Sequence, residues 1–160
     1  MRSRERDNSL SVSKGSARAR GRSARDAPEL QALAQELGIA SRCRWTAWVS
    51  NDERLELLNR ARALVMPSLW EGFGLPALEA MACGTPVLAS TAGALPEVVG
   101  EVAVPLDPMS SAQMAAAIDD FLQSSALQQQ LAQQGPLRAA GFSWAQTGAD
   151  LKQHLQALCP

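Results

Sequence analysis

Metal-binding spacing is missing from this chain. Its 160 residues hold one histidine and three cysteines, Cys43, Cys83 and Cys159. The cysteines follow no metal or disulfide spacing and suit a reducing compartment. There is no D-x-D and no histidine-rich cluster, so no metal site is readable and no cofactor is implied. No apolar run approaches the ~18 residues of a membrane span, and the N-terminus lacks the apolar core of a signal peptide. No integral membrane segment is expected. The reading is cytoplasmic, with peripheral contact at a membrane left open. Aromatic residues make up 4% of the chain, and none interleaves with the basic residues near the N-terminus. That removes the stacking platform of a single-strand binder, so no nucleic-acid partner is expected.

What is present is enough for one ordinary domain. Apolar residues make up 46% of the chain, and the net charge of −1 hides an asymmetry. Residues 1–26 carry eight basic against three acidic side chains, a net of +5, which leaves −6 for the rest. Residues 1–25 are rich in Ser, Arg and Gly without an apolar period, and read as a disordered basic tail. Residues 26–160 read as the folded part.

The chain is organised around the stretch from Trp70 to Pro86. The apolar run Ala63-Leu64-Val65-Met66 reads as a buried strand, ended by Pro67 and Ser68. Gly72 and Gly74 are expected to take backbone angles closed to other residues. Pro76 sits where the first turn of a helix tolerates it. Leu75, Leu78 and Ala82 keep helical spacing, and Gly84 caps the helix end. A strand, a glycine turn and a helix start make an anion-binding arrangement. Glu71 in the turn and Glu79 in the helix frame it. A ligand with both hydroxyls and phosphates suits such a frame, because hydroxyls donate to carboxylates while phosphates accept from backbone N–H groups. The plainer alternative is two solvated surface carboxylates.

Around this unit, helices and strands alternate. Asp26-Ala27-Pro28-Glu29 has the pattern of a capping box, opening a helix with Leu30, Leu33, Ala34 and Leu37 on one face and Gly38 at its end. Cys43 to Val49 alternates and reads as a strand. Ser50-Asn51-Asp52-Glu53 is a second capping box, with Leu55, Leu58 and Ala61 expected to be buried. Val87-Leu88-Ala89 and Val102-Ala103-Val104 read as further strands, with a short helix Leu95–Val99 between them. Ser110 and Gln113 open a helix burying Met114, Ala117, Ile118, Phe121 and Leu122. Leu127 and Leu131 mark another helix, expected to break at Gly135-Pro136. Ser143 caps a final helix with Trp144, Leu151, Leu155 and Leu158 on one side. Four strands alternating with helices predict an α/β fold, an incomplete doubly wound parallel sheet of Rossmann-like type.

The spacing Glu71 to Glu79 resembles the E-x7-E signature of retaining glycosyltransferases of the GT-B fold, in the family 4 (group 1) type. The similarity extends through Ala61 to Pro76, Met81-Ala82-Cys83-Gly84-Thr85-Pro86-Val87, Leu95-Pro96-Glu97-Val98 and Phe142-Ser143-Trp144. It covers roughly Asp26 to the C-terminus. The resemblance implies the C-terminal, donor-binding part of such an enzyme, with the acceptor-binding domain and some strands and helices not represented. It implies a nucleoside-diphosphate sugar as donor and transfer of a hexosyl group to a hydroxyl acceptor, a sugar or a lipid-linked sugar. Glu71 would be the catalytic-site carboxylate that accepts from the donor sugar. The N–H groups of Gly72, Phe73 and Gly74 would face the sugar, and those of Leu75 and Ala77 the diphosphate. Glu79 would hold the ribose hydroxyls, and Val49 would pack against the base.

Two features depart from the family pattern, and the single histidine falls outside it. No arginine and lysine pair is found to neutralise the leaving diphosphate. A two-glycine loop before Leu95 appears as Gly93-Ala94. His154, on a late helix among Gln and Lys, does not match the family's catalytic-region histidine and reads as solvated. The missing cations and the missing acceptor domain leave a non-catalytic remnant or interaction module of the same fold as an alternative, and the isolated chain can be inactive. Gly72 to Ala77 also fits the G-x-G-x-x-A of a dinucleotide-binding domain. The strand that follows ends Ala89-Ser90-Thr91, without the acid that such a domain needs for its ribose, which rejects that reading.

Overall fold

The computed structural model describes residues 28–46 and 49–158. The expected basic tail over 1–25, and Asp26 of the first capping box, lie outside the described residues. Helix α1 spans Pro28–Glu36, and a 3-10 turn follows at Ala40–Arg42. Then come α2 (Asn51–Arg60), β1 (Leu64–Met66), α3 (Leu75–Ala82), β2 (Val87–Ser90), α4 (Leu95–Val99) and β3 (Val104–Leu106). Helices α5 (Ser111–Gln123), α6 (Ser125–Ala140) and α7 (Trp144–Leu158) complete the described chain.

The sheet is parallel, in the order β1-β2-β3. Leu64, Val65 and Met66 pair with Val87, Leu88 and Ala89, and Leu88, Ala89 and Ser90 pair with Val104, Pro105 and Leu106. Every residue of the central strand β2 is buried, as a continuous apolar run covered on both faces should be. Its side chains alternate between two cores. Val87 and Ala89 join Leu58, Leu64, Met66, Ala77, Ala80, Met81, Leu95 and Val99 on one side. Leu88 joins Leu106, Phe121 and Leu131 on the other. The helices therefore cover both faces, in the α/β manner the alternation predicts.

Several local expectations are corrected. The strand expected over Cys43–Val49 is absent among the described residues of that span: Cys43–Thr46 and Val49 enter no ladder, and the described sheet has three strands rather than four. A period of two makes a segment suitable for a sheet without supplying the neighbour it must pair with. The last strand is Val104–Leu106, not 102–104, because the Val102 N–H donates to Val99 O at 3.2 Å and closes the turn after α4. Pro105 is tolerated within β3 because that strand lies at the sheet edge.

Helix α6 runs straight through Gly135-Pro136. Gly135 is where α6 crosses α3: a Cβ there would stand 3.1 Å from Met81 O and 3.2 Å from Met81 Cα. The glycine serves close approach and does not end the helix. Pro136 cannot donate to Ala132 O, its partner one turn back. Gly84 packs beside that carbonyl, where a Cβ would stand 3.3 Å from Ala132 O.

The outer helices bury less than their patterns suggest. On α1 only Ala34 is buried, with Leu30, Leu33 and Leu37 exposed; on α2 Leu58 is buried and Leu55 exposed. Phe121 anchors α5, whereas Leu122 lies at its outer side. On α7 no residue is buried, and Trp144 is 82% exposed. None of the described helices is long and apolar enough to cross a membrane.

Candidate functional site

The site is assembled where β1 gives way to α3. Gly74 is the N-cap of α3 with φ 97° and ψ 41°, a left-handed conformation that favours glycine. A Cβ there would also stand 2.6 Å from Leu95 Cδ2, so backbone angle and space both demand glycine. Gly72 is different. It is exposed, its φ is not positive, and nothing lies within 4 Å of a Cβ placed on it. The turn's geometry therefore rests on Gly74 alone, which corrects the expectation for Gly72.

Glu71 is half-buried in this turn. Ser68 Oγ donates to its Oε1 at 2.9 Å. Its backbone is held from the other side by the loop after β2. The Ala94 N–H donates to Glu71 O at 3.3 Å, and Gly93, at φ 64°, lies so close that a Cβ would stand 3.1 Å from Glu71 N. Ala94 has ordinary right-handed angles, φ −82° and ψ −8°, so the alanine in place of a second glycine costs the loop no strain.

Between Glu71 and the body of α3, the N–H groups of Gly72, Phe73, Gly74 and Leu75 meet no protein acceptor among the described residues. These are the unfilled donors expected at a helix N-terminus and the turn before it. Ala77 is a correction, since its N–H donates to Gly74 O at 2.9 Å and is spent within the helix's first turn. Phe73 and Leu75 are exposed beside the turn. Phe73 meets Phe142 edge to face, centroids 5.9 Å apart at 85°. Arg138 lies 5.0 Å over Phe142 while its Nε donates to Val98 O at 2.9 Å and its Nη2 to Glu97 O at 2.6 Å.

Glu79 lies one helical turn and more beyond Leu75 on α3. Its Oε1 pairs with Arg54 Nη1 of α2 at 3.0 Å, while its Oε2 is shut off from solvent and has no partner among the described residues. Burial, followed by the Glu79 carboxylate, pushes the Cys83 thiol above its ordinary range. Cys83 is therefore held as the neutral thiol, not as a nucleophile. Thr85 is buried and donates to Leu58 O, so its hydroxyl ties α2 to the end of α3 and is not offered to a ligand. His154 is exposed on α7, its Nδ1 2.7 Å from Asp150 O. Val49 is half-buried in the loop directly before Ser50, the N-cap of α2, and not at the end of a strand.

The structure thus brings Glu71, Gly72, Phe73, Gly74 and Leu75 into one turn, with Glu79 on the helix that the turn starts. Val49 is not brought into that turn; it precedes α2, the helix that packs on α3. Sequence reasoning missed Ser68, whose position three before Glu71 was a usable signal. It also missed Arg54, which stands 25 positions before Glu79 and is joined to it only by the packing of α2 on α3.

A family model described as glycosyl transferases group 1 matches residues 21–138. The chain belongs to this family. Among the chain's curated relatives is the MMP alpha-(1->4)-mannosyltransferase of Mycolicibacterium hassiacum. It is 42% identical over 121 residues, covering 73% of this chain and 29% of the relative. The O-antigen chain mannosyltransferase B of Escherichia coli is 40% identical over 101 residues, 63% of this chain and 26% of the relative. The chain thus spans under a third of the length of either. Among solved structures, a sucrose-phosphate synthase from Thermosynechococcus elongatus superposes with TM-score 0.73 at 30% identity. That match covers 82% of this chain and 34% of the other. The fold is that of GT-B glycosyltransferases, and the family activity is glycosyl transfer.

Proposed function

We propose that this chain binds a nucleoside-diphosphate sugar in the turn between β1 and α3 and serves the transfer of its hexosyl group to a hydroxyl acceptor with retention. The observation that carries the reading is the row of free N–H groups at Gly72, Phe73, Gly74 and Leu75, flanked by the carboxylates of Glu71 and Glu79. Donors for phosphate and acceptors for hydroxyls lie side by side, which matches a ligand that carries both. Glu71, steadied by Ser68, accepts from hydroxyls of the donor sugar. Glu79 accepts from the ribose. Leu75 N–H and its neighbours, at the positive end of α3, face the diphosphate. Val49, ahead of α2, is the side chain assigned to the base.

In the reaction, the bond from the sugar's anomeric carbon to the diphosphate oxygen breaks, and a bond from that carbon to the acceptor oxygen forms on the same face. The acceptor's proton passes to the departing phosphate. The acceptor is a hydroxyl of a sugar or a lipid-linked sugar. Backbone donors stabilise the negative charge that develops on the leaving group.

Titration calorimetry with UDP, GDP and their hexose conjugates tests the assignment. Glu79→Gln keeps shape and one acceptor but removes the charge. Charge-assisted bonds are worth roughly 1.5–3 kcal/mol, so affinity for both ligand classes should fall about tenfold or more. Glu71→Gln should weaken only the sugar-bearing nucleotide. Equal losses for both classes at Glu71 would show that the sugar does not lie there. Absence of any nucleotide binding by the parent chain would favour a non-catalytic module.

A further inference from the structure

We propose that Arg54 is a positioning residue for nucleotide recognition, holding the Glu79 carboxylate where it meets the ribose hydroxyls. The inference rests on the reading of Glu79 as the ribose acceptor. Glu79 Oε2 is inaccessible and has no partner among the described residues, so Oε1 is the oxygen that a hydroxyl can reach. Arg54 holds that same oxygen, at 3.0 Å through Nη1. A carboxylate oxygen has a second acceptor direction, so the ion pair leaves room for one incoming donor. Among the described residues Arg54 is the cation paired to Glu79, and without it the carboxylate is neither oriented nor neutralised. A carboxylate in that condition is poorly aimed at a ribose hydroxyl.

The guanidinium is itself braced. Arg54 Nη2 donates to Asn51 Oδ1 at 3.3 Å, one turn back on α2. The start of α2 is set by a capping box in which Ser50 Oγ accepts from the Glu53 N–H at 3.2 Å and Glu53 Oε2 accepts from the Ser50 N–H at 2.8 Å. The capped start of α2 thus carries the asparagine that braces the arginine, and the arginine ends on the acceptor. Because Arg54 touches Glu79 and no reacting atom, its contribution should appear only where the ribose hydroxyls are present.

The full 160-residue chain is titrated with UDP and GDP and with their 2′,3′-dideoxy counterparts. The parent should prefer the ribonucleotides by about tenfold, and Arg54→Gln should shrink that preference to roughly twofold, losing far more on the ribonucleotide than on the dideoxy form. Arg54→Lys keeps a cation without the planar fork and should recover part of the preference. In the Arg54→Gln background, Glu79→Gln should cost little more. An unchanged preference, equal losses on both ligands, or tighter ribonucleotide binding without Arg54 would each overturn the proposal. The last result would make Arg54 a cover over the carboxylate. A parent chain with no preference would instead overturn the assignment of Glu79 to the ribose. Should Arg54→Gln fail to fold by circular dichroism, Asn51→Ala removes only the brace, and a preference identical to the parent's would count against the proposal.

Discussion

Single side chains in this domain do their work at the ends of elements. Ser50 and Glu53 illustrate it, satisfying two backbone donors at the head of α2 reciprocally. The Ser50 N–H and then the Ser50 hydroxyl hold the Glu53 carboxyl below its ordinary value of 4.5. A carboxylate depressed by folding contributes stability above its unfolded value and loses it as pH falls through the folded one. Glu53→Ala should therefore lower the melting temperature near pH 7, and the gap to the parent should close as pH drops below 4.5. Thermal unfolding followed by circular dichroism at several pH values reads this directly, and a gap of constant size down to about pH 3 would contradict it. This box was legible in the sequence because its four residues are consecutive. The Arg54 to Glu79 pair was not, since it depends on two helices meeting.

Among whole elements, the strand-turn-helix unit was legible apart from the roles given to Gly72 and the Ala77 N–H. An apolar run, a glycine that needs a positive φ and a proline at a helix start are all local signals, and the structure realises them at Leu64–Met66, Gly74 and Pro76. The misreadings concern elements whose state is decided by neighbours. Cys43–Thr46 alternates but has no ladder partner among the described residues. Gly135-Pro136 carries the residues of a helix stop, yet α3 lies against it and the helix continues. Gly135→Ala therefore gains helix propensity but forces a methyl within 3.1 Å of Met81 O. The clash should win, destabilising the chain by about 1–3 kcal/mol. Gly148→Ala in α7, where nothing lies within 4 Å, should stabilise by about 0.5–1 kcal/mol. Urea denaturation of the two variants separates close packing from propensity, and stabilisation by both would refute the crossing as the reason for Gly135.

For the molecule as a whole, stability is concentrated on the three strands. Leu88 is fully buried on the face of β2 opposite Val87 and Ala89, and touches the core that Phe121 and Leu131 complete. Leu88→Ala should cost about 2–5 kcal/mol by chemical denaturation. Leu155→Ala, on a helix with no buried residue, should stay within about 0.5 kcal/mol. Comparable losses at the two positions would mean that α7 is part of the same core. All three strands run parallel, so β1 and β2 send the Glu71 turn and the Gly93 loop out from the same, C-terminal end of the sheet. There Gly93 nestles against the Glu71 backbone and Ala94 hydrogen-bonds to it. The consequence is mechanical. Two loops that could each wander are stitched into one rim, so the ligand proposed for Glu71 would meet a preset surface and lose little affinity to ordering it.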